Sequence, residues 1–313
     1  MQHWTSLKEK PMKVFRFIAF LMTLALGLSA NSAELTGTLK KVNDSGTVTL
    51  GVRDSSIPFS YLDDKQETVG YSVDLCMKVV DAVKAELKKP DLKVVKQVVT
   101  SATRIPLIAN GTVDIECGST VNNIDRQKQV AFSVTTFVVN TKLIVKKSGP
   151  VHTFADMKGR AIAVTSGANT VQKIAELNTQ RALGMTMLNG QDHNGSFALM
   201  ESDRAAAFAE DDILLAGLAA NSKTPDAYRL VEIEGMAADP YALMLRRDDP
   251  QFKALVDRAL VAAFKSGAAE ALYKKWFTQP VPPRGVTLNF PLSEQLRKAM
   301  ASPTDSGDPK DYR

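Results

Sequence analysis

The fold is decided by short β-rich runs that alternate with a helical run near the start of the chain. These runs are Thr47-Val-Thr-Leu-Gly-Val52, Gly70-Tyr-Ser-Val-Asp-Leu75 and Leu92-Lys-Val-Val-Lys-Gln-Val-Val99. Valine-rich runs of this length favour strands, whereas apolar residues three or four positions apart after Asp74 favour an amphipathic helix. A strand, a helix and a second strand in this order are typical of a βαβ unit. We therefore expect an open α/β sheet.

The same alternation begins again after Gly149-Pro150, with a predicted strand over Ala161–Thr165. Two extended segments, Ala131–Asn140 and Tyr241–Arg246, connect the two halves of the chain. The sequence therefore predicts two α/β lobes that are joined by two hinge strands.

The predicted hinges set the expected domain boundaries. Lobe 1 is discontinuous and lobe 2 is inserted into it, because the chain leaves the first sheet and then returns to it. The predicted division is 34–139 and 240–279 for lobe 1, 140–239 for lobe 2, and 280–313 for a C-terminal tail that packs on lobe 1. The polar end after Ser302 has few apolar residues, so we expect it to be disordered.

Residues 1–33 have the pattern of a secretory signal peptide. Four basic residues between Lys8 and Arg16 precede the apolar run Phe17–Leu28, and the small residues Ser29–Ala33 follow it. The apolar run is shorter than the roughly 20 residues that a bilayer-spanning helix requires. We expect a cleaved leader and a periplasmic protein without a membrane anchor.

Charge and composition argue against several classes of function. The formal net charge is +5, but the predicted leader carries much of it and about +2 remains after cleavage. Nucleic-acid binding needs clustered basic residues, and only scattered pairs such as Lys146-Lys147 occur. Three histidines and two cysteines are too few and too dispersed for a usual metal site. No P-loop, dinucleotide fingerprint or nucleophile elbow is recognisable either. We expect no nucleic acid, no metal and no cofactor.

The two cysteines leave two interpretations open. Export permits a disulfide between Cys76 and Cys117, which is the one intramolecular pairing that two cysteines allow. Cys76 lies in a helical pattern and Cys117 ends a strand-like run, so both can instead be small buried hydrophobic residues. We favour the second interpretation.

Polar side chains follow the predicted strands, at the positions where open α/β sheets hold ligands. They are Arg53, Ser101, Arg104, Ser119, Thr120, Arg126, Thr165, His193 and Asp211. A free amino acid requires a planar fork for its α-carboxylate and an acidic partner for its ammonium group, and Arg126 and Asp211 can fill these roles.

A second anionic end of the ligand would require further donors, for which Arg53, Arg104 and His193 are candidates. Taken singly, however, a loop arginine is more often a solvated surface charge, and Ser101 or Ser119 serves equally well as a helix cap. The residue types alone therefore leave the binding and the surface interpretations open.

Four segments carry a resemblance to a known family: Gly51–Tyr61, Thr100–Leu107, Glu116–Lys128 and Pro280–Pro283. They resemble the periplasmic glutamate/aspartate-binding proteins of ABC importers, over nearly the whole predicted mature chain. The resemblance implies a two-lobed periplasmic binding protein fold of type II and a receptor that is not an enzyme. It also implies that the lobes close on L-glutamate or L-aspartate and present it to inner-membrane permease subunits. We expect a monomer.

By this resemblance, Arg126 and Ser119 bind the α-carboxylate, Asp211 binds the ammonium group, and Arg53, Arg104 and His193 receive the side-chain carboxylate. The resemblance also places Ser101, Thr120 and Thr165 in the pocket. Two positions depart from the family pattern. Asn169 replaces a threonine that is expected to touch the ligand, which bears on the choice between glutamate and aspartate. Leu243 stands where close relatives have a cysteine, so any disulfide must differ from theirs.

Three alternatives remain beside this prediction. The same site can serve glutamine, asparagine or another small dicarboxylate. An exported dehydratase-like enzyme on the same fold would use His193 and Asp211 for proton transfer. A detached sensor domain would share the fold but needs a membrane segment, and none is recognisable after the leader.

Overall fold

The computed structural model describes residues 1–4 and 34–313, so most of the predicted signal peptide lies outside the described residues. Thr36–Arg313 form one compact unit. Among the helices of the described part of the chain, none is both long enough and apolar enough to cross a lipid bilayer.

Strands and helices alternate along the described chain. The strands are β1 (Thr47–Val52), β2 (Ser55–Ser56), β3 (Ser60–Leu62), β4 (Thr68–Val69), β5 (Lys93–Val98), β6 (Ile115–Glu116), β7 (Val130–Phe132), β8 (Phe137–Val139), β9 (Thr141–Lys146), β10 (Ala161–Thr165), β11 (Thr186–Gly190), β12 (Ala207–Asp211), β13 (Tyr228–Glu232), β14 (Asp239–Tyr241), β15 (Met244–Arg246), β16 (Pro280–Val281) and β17 (Val286–Thr287). The α-helices are α1 (Gly37–Ser45), α2 (Tyr71–Leu87), α3 (Arg104–Ala109), α4 (Ile124–Gln127), α5 (Asn169–Gln180), α6 (His193–Glu201), α7 (Asp212–Asn221), α8 (Pro250–Lys265), α9 (Ala268–Tyr273) and α10 (Glu294–Ala301). Short 3-10 turns lie at Phe154–Met157, Pro225–Ala227 and Pro309–Tyr312, and a π-helical turn lies at Lys274–Thr278.

The first sheet has the strand order β5-β1-β6-β15-β7. Strand β1 pairs in parallel with β5 and with β6, which places Leu50 opposite Lys96 on one side and Ile115 on the other. Strand β15 runs antiparallel between β6 and β7. The predicted βαβ unit is confirmed, since β1, α2 and β5 follow one another and the two strands are parallel neighbours.

The second sheet has the strand order β11-β10-β12-β9-β13. Strand β10 pairs in parallel with β11 and β12, whereas β9 is antiparallel to both β12 and β13. Its core is apolar on both faces, with Leu143 and Ile162 buried on one side and Ile144 and Phe208 on the other.

The chain crosses between the two sheets twice, as predicted. Strands β8 and β14 pair antiparallel at the crossing, with Phe137 opposite Tyr241. Strand β9 then enters the second sheet, and β15 returns to the first. The ring of Phe137 stacks on Phe277 at 4.8 Å between centroids, and Phe59 packs edge-on against Tyr241 at 5.2 Å. These rings fix the crossing strands, while the numbered lobe boundaries stay a prediction.

The favoured interpretation of the two cysteines was wrong, because Cys76 and Cys117 form a disulfide. Cys76 points inward from α2 and Cys117 directly follows β6, and their Cα atoms are 6.1 Å apart. Both side chains are fully buried. The disulfide joins α2 to the sheet on which it packs. The helical and strand patterns alone do not specify how close α2 lies to that sheet.

Reduction of this disulfide is expected to lower the free energy of unfolding by about 3–4 kcal/mol, because the bond closes a loop of 41 residues in the unfolded chain. Equilibrium urea unfolding with and without reductant measures the difference. Ligand affinity of the folded protein in native buffer should be unchanged, since neither cysteine belongs to the candidate site. Equal unfolding midpoints in the two conditions would contradict the prediction.

The polar C-terminal end is ordered, which corrects the expectation of disorder after Ser302. Tyr312 is buried, and its hydroxyl bonds the Thr135 hydroxyl at 2.6 Å. The backbone N–H of Thr135 donates to the carbonyl of Thr304 at 2.8 Å, and the Asn122 amide donates to the carbonyl of Asp305 at 2.8 Å. One aromatic anchor and main-chain hydrogen bonds therefore hold a segment with few apolar residues.

Candidate functional site

The predicted site residues converge at the edges of the two sheets where the parallel strands end. Arg53 follows β1, Thr165 ends β10 and Asp211 ends β12. The two edges meet in a closed cleft, across which Nη2 of Arg126 donates to the carbonyl of Gly167 at 3.3 Å. Gly167 permits this approach, since it has φ +78° and a Cβ there would lie 2.5 Å from the Cα of Ala102. Nine of the ten predicted residues are buried and Asn169 is half-buried.

Arg53 is a buried cation with spare donors. Its Nη2 donates to Oγ of Ser101 at 3.0 Å, while Nε and Nη1 have no hydrogen-bond partner among the described residues. Burial and the charge of Arg104 lower the pKa of Arg53 to about 10, so it is still protonated at neutral pH. Ser101 is thus a partner of Arg53, which corrects its alternative assignment as a helix cap. Helix α3 begins at Arg104 with Thr103 in the cap position.

Arg104 lies beside a buried carboxylate. Its Nη1 donates to the hydroxyl of Thr120 and to the carbonyl of Ser119, and it is 4.0 Å from Oε1 of Glu116. The Thr120 hydroxyl in turn donates to Oε2 of Glu116 at 2.6 Å. Nε of Arg104 is buried without a partner in the described structure. Glu116 therefore orients the guanidinium and leaves donors for a further acceptor.

Arg126 is held from two sides of the cleft. It lies on α4, whose N-cap Asn123 accepts from the Arg126 backbone N–H at 2.8 Å. Its Nη1 donates to the carbonyl of Val121 at 2.9 Å, in addition to the bond to Gly167. Burial and the charge of Arg104 lower the pKa of Arg126 to about 9. A fixed, buried guanidinium of this kind suits a carboxylate better than solvent.

His193 and Thr165 form a hydrogen-bonded group in the second sheet. The Thr165 hydroxyl lies 3.0 Å from Nδ1 of His193 and 2.8 Å from the hydroxyl of Ser196. Burial and the nearby charges of Arg53 and Arg104 hold the pKa of His193 well below its usual range, so the imidazole is neutral. It can therefore donate one hydrogen bond but adds no charge.

Asp211 is an acceptor fixed by two hydroxyls. The hydroxyl of Tyr241 donates to its Oδ2, and that of Thr141 donates to Oδ1 at 3.3 Å. Burial, together with the charge of Asp239, raises the pKa of Asp211 to about 6. The carboxylate is ionised at neutral pH but poorly compensated, which suits the binding of a cation.

Besides Arg53 and Arg104, two further predicted residues carry buried atoms without hydrogen-bond partners in the described structure, namely Oγ of Ser119 and Nδ2 of Asn169. Together with Arg53 and Arg104, they make a group of unsatisfied polar atoms inside a closed cleft. Buried polar groups left unpaired are costly, so the arrangement calls for a ligand that is rich in acceptors. Arg53 and Arg104 also repel each other, and an anion between them would remove that repulsion.

Sequence reasoning missed two buried carboxylates, Glu116 and Glu210. Glu116 follows Ile115 in β6, Glu210 follows the apolar residues Ala207–Ala209 in β12, and each glutamate is at most 2% exposed. Glutamates are rarely buried without a partner, so their position in these runs was the available signal. Among the described residues, no group of three His, Cys, Asp or Glu side chains is arranged to hold a metal ion.

With the site in place, residues 48–279 match the model of the bacterial extracellular solute-binding proteins, family 3. The chain belongs to this family. The match covers both sheets and the two crossings between them. The two-lobed α/β fold expected from the sequence is thereby confirmed.

Two bacterial proteins are similar in sequence to this solute-binding protein over most of its length. It is 50% identical over 273 residues to the L-glutamate/L-aspartate-binding protein of Pseudomonas aeruginosa, covering 87% of this chain and 90% of that one. It is 45% identical over 289 residues to the glutamate/aspartate import solute-binding protein of Escherichia coli, covering 90% and 95%. Both names describe binding proteins, and the chain is accordingly a binding protein and not an enzyme.

Solved structures agree on the fold. A mutant of the ArgBP of T. maritima superposes with a TM-score of 0.68 at 19% identity, covering 76% of this chain and 98% of that one. At this identity the likeness concerns the fold alone.

Proposed function

We propose that this solute-binding protein is the receptor of an ABC importer and binds L-glutamate or L-aspartate between its lobes. The observation that carries the proposal is the set of unsatisfied N–H groups of Arg53 and Arg104 inside the closed cleft. Two relatives that are 45–50% identical are named for glutamate and aspartate, which supports the same ligands here.

The roles proposed for the site follow from its charges. Arg126 and Ser119 bind the α-carboxylate, and Asp211 accepts from the ammonium group. Arg53, Arg104 and neutral His193 donate to the side-chain carboxylate. Ser101 and Thr120 position the two arginines, Thr165 positions His193, and the free amide of Asn169 donates to the ligand.

A neutral amide ligand fits this site less well. The second carboxylate of glutamate or aspartate accepts from both arginines and neutralises their mutual repulsion. The side chain of glutamine offers one neutral oxygen and brings two N–H donors into a pocket that is already rich in donors. An uncompensated charge in a buried site is costly, so glutamine is expected to bind more weakly.

The place of action is proposed from the family. Its members are described as extracellular, and the Escherichia coli relative is named for import. We infer a periplasmic monomer with a cleaved leader, whose closed form is recognised by inner-membrane permease subunits. No nucleic acid and no cofactor enter this proposal.

Replacing Arg104 by alanine is expected to weaken glutamate and aspartate binding about 50-fold and to change glutamine binding less than about fivefold. The reason is that the substitution removes a cation that only an acidic side chain needs, while Arg53 and His193 remain as donors. Calorimetric titration of the refolded, ligand-stripped protein with the three amino acids measures both effects.

The matched control is Arg204→Ala, which removes an exposed arginine from the same chain and should leave all three affinities unchanged. If Arg104→Ala weakens glutamine as strongly as glutamate, Arg104 does not read the side-chain carboxylate. If none of the three ligands binds the wild-type protein, the proposed function is wrong.

A further inference from the structure

Glu210 is a buried acid in the cleft for which the roles above give no task. It lies on β12 next to Asp211 and is 2% exposed. Its Oε2 is 3.5 Å from Nδ1 of His193 and 3.4 Å from the hydroxyl of Thr170. Its Oε1 accepts from the backbone N–H of Asp211 at 3.2 Å. Glu210 is therefore in direct reach of the group proposed to receive the ligand's side chain.

Charged and titratable groups surround Glu210 from both lobes. They are Asp211 on its own strand, His193 on α6, Tyr241 on β14, and Arg53, Arg104 and Arg126 from the first lobe. Two nearby lysines are engaged elsewhere. Lys142 stands opposite Glu210 in the pairing of β9 with β12, but its ammonium pairs with Glu232 at 2.6 Å, and Lys173 pairs with Asp239. Within the described part of the chain, Glu210 forms no ion pair with a lysine or an arginine.

The charge balance of the cleft depends on whether the Glu210 carboxyl carries a proton. Counted at their formal charges, the guanidiniums of Arg53, Arg104 and Arg126 together with Glu116 and Asp211 sum to one excess positive charge if Glu210 is a neutral acid. A bound glutamate or aspartate brings one net negative charge and completes the balance. With Glu210 ionised, the empty site is already balanced, and the same ligand would bury an uncompensated negative charge.

We propose that Glu210 is a specificity-determining residue that is protonated when the cleft closes on an acidic amino acid. The proton comes from solvent and resides on the Glu210 carboxyl, which then donates a hydrogen bond instead of repelling the ligand. Once ionised, Glu210 opposes an acidic side chain and accepts from an amide, so discrimination against glutamine falls. This inference rests on the proposed function and adds a pH dependence to it.

The electrostatics of the cleft agree with this role. Burial and the charge of Asp211 raise the pKa of Glu210 to about 8. The carboxyl is therefore largely protonated at pH 7 and largely ionised at pH 9. An anionic ligand favours the protonated form further, so acidic ligands bind the protonated protein and lose affinity as the pH rises through this range.

The test is calorimetric titration of the wild-type protein and of Glu210→Gln with glutamate and glutamine at pH 7 and pH 9. The wild type should bind glutamate about tenfold more weakly at pH 9, because only a tenth of it then carries the proton. Glu210→Gln should bind glutamate within about threefold of wild type at pH 7 and should lack this tenfold loss at pH 9, where the titration of Arg126 alone weakens binding about twofold. The variant keeps every other titrating group of the cleft, and the ammonium group of the ligand titrates in the same way with both proteins.

Proton uptake gives a second readout that a packing role would not produce. Titrations at pH 8 in two buffers of different ionisation enthalpy should show about half a proton taken up per glutamate bound by the wild type, and correspondingly less by Glu210→Gln. The control variant Glu234→Gln, which alters an exposed carboxyl of the same lobe, should behave as the wild type. If Glu210→Gln fails to fold, wild-type proton uptake still decides the matter.

Several outcomes would overturn the inference. If the wild type and Glu210→Gln bind glutamate with equal affinity across the pH range, protonation of Glu210 does not contribute to binding. Tightening of glutamate binding by tenfold or more in Glu210→Gln at pH 7 would show that Glu210 is ionised at neutral pH. If Glu210→Gln binds glutamate and glutamine more weakly than the wild type by the same factor at both pH values, Glu210 has only a packing role. Failure of glutamate and aspartate to bind the wild type at pH 7 contradicts the proposed function itself.

Discussion

Replacing Arg126 by alanine is expected to weaken the binding of glutamate and aspartate about 1,000-fold. Arg126 is 8% exposed, and in the closed cleft the carbonyls of Val121 and Gly167 fix its guanidinium. Removing one partner of a buried charge pair costs about 3–5 kcal/mol, and each 1.4 kcal/mol is tenfold in affinity. Isothermal titration calorimetry measures the loss.

The loss should extend to every amino acid that the protein binds, because all of them carry the α-carboxylate. Arg126→Lys separates charge from geometry, since it keeps the cation but not the planar fork, and should recover only part of the affinity. Equal affinity of Arg126→Ala and wild type would show that the α-carboxylate lies elsewhere. The melting temperature without ligand checks that each variant folds.

Replacing Asp211 by asparagine is expected to weaken the binding of acidic amino acids about 100-fold, because the ligand's ammonium group loses the anion that is proposed to bind it. The amide oxygen can still accept from Tyr241, so the fold of the cleft should survive. Titration with aspartate and with its deaminated analogue succinate distinguishes the roles. Succinate has no ammonium group and should not be weakened by Asp211→Asn. Parallel losses for both ligands would contradict the assignment.

The raised pKa of Asp211 predicts that glutamate and aspartate bind more weakly at acid pH. Burial raises the pKa of Asp211 to about 6 without ligand, and a bound ammonium group favours the ionised form and lowers that pKa in the complex. Binding therefore releases a proton below pH 6, and affinity should fall about tenfold between pH 7 and pH 5. Asp211→Asn should show a flat profile over that range, and a flat wild-type profile would contradict the prediction.

The order of elements was predictable because hydrophobic periodicity carries it. Strand β1, helix α2 and strand β5 follow from alternating valines and an apolar stripe, and the second sheet repeats the pattern. Long-range pairing was not predictable in the same way. The disulfide of Cys76 with Cys117 depends on how close α2 lies to the sheet. The C-terminal end is held in place by a hydrogen bond between the hydroxyls of Tyr312 and Thr135, which are far apart in sequence.

The placement of the candidate site residues was predictable where a strand end coincided with a distinctive side chain, as at Arg53 and Asp211. The internal pairing of the site was not, because hydrogen bonds between distant loops leave no trace in local sequence. Ser101 was open to assignment as a cap but accepts from Arg53 across 48 positions. Glu210 was overlooked because it follows the apolar run Ala207–Ala209, and only its contacts with His193 and Thr170 show that it faces the cleft.

The most direct test of the central claim is a crystal structure of the mature protein with bound glutamate. The account predicts a closed cleft with the α-carboxylate on Arg126, the ammonium group on Asp211 and the side-chain carboxylate between Arg53 and Arg104. A glutamate bound in the reverse orientation, or one found outside the cleft with the site empty, would contradict the account.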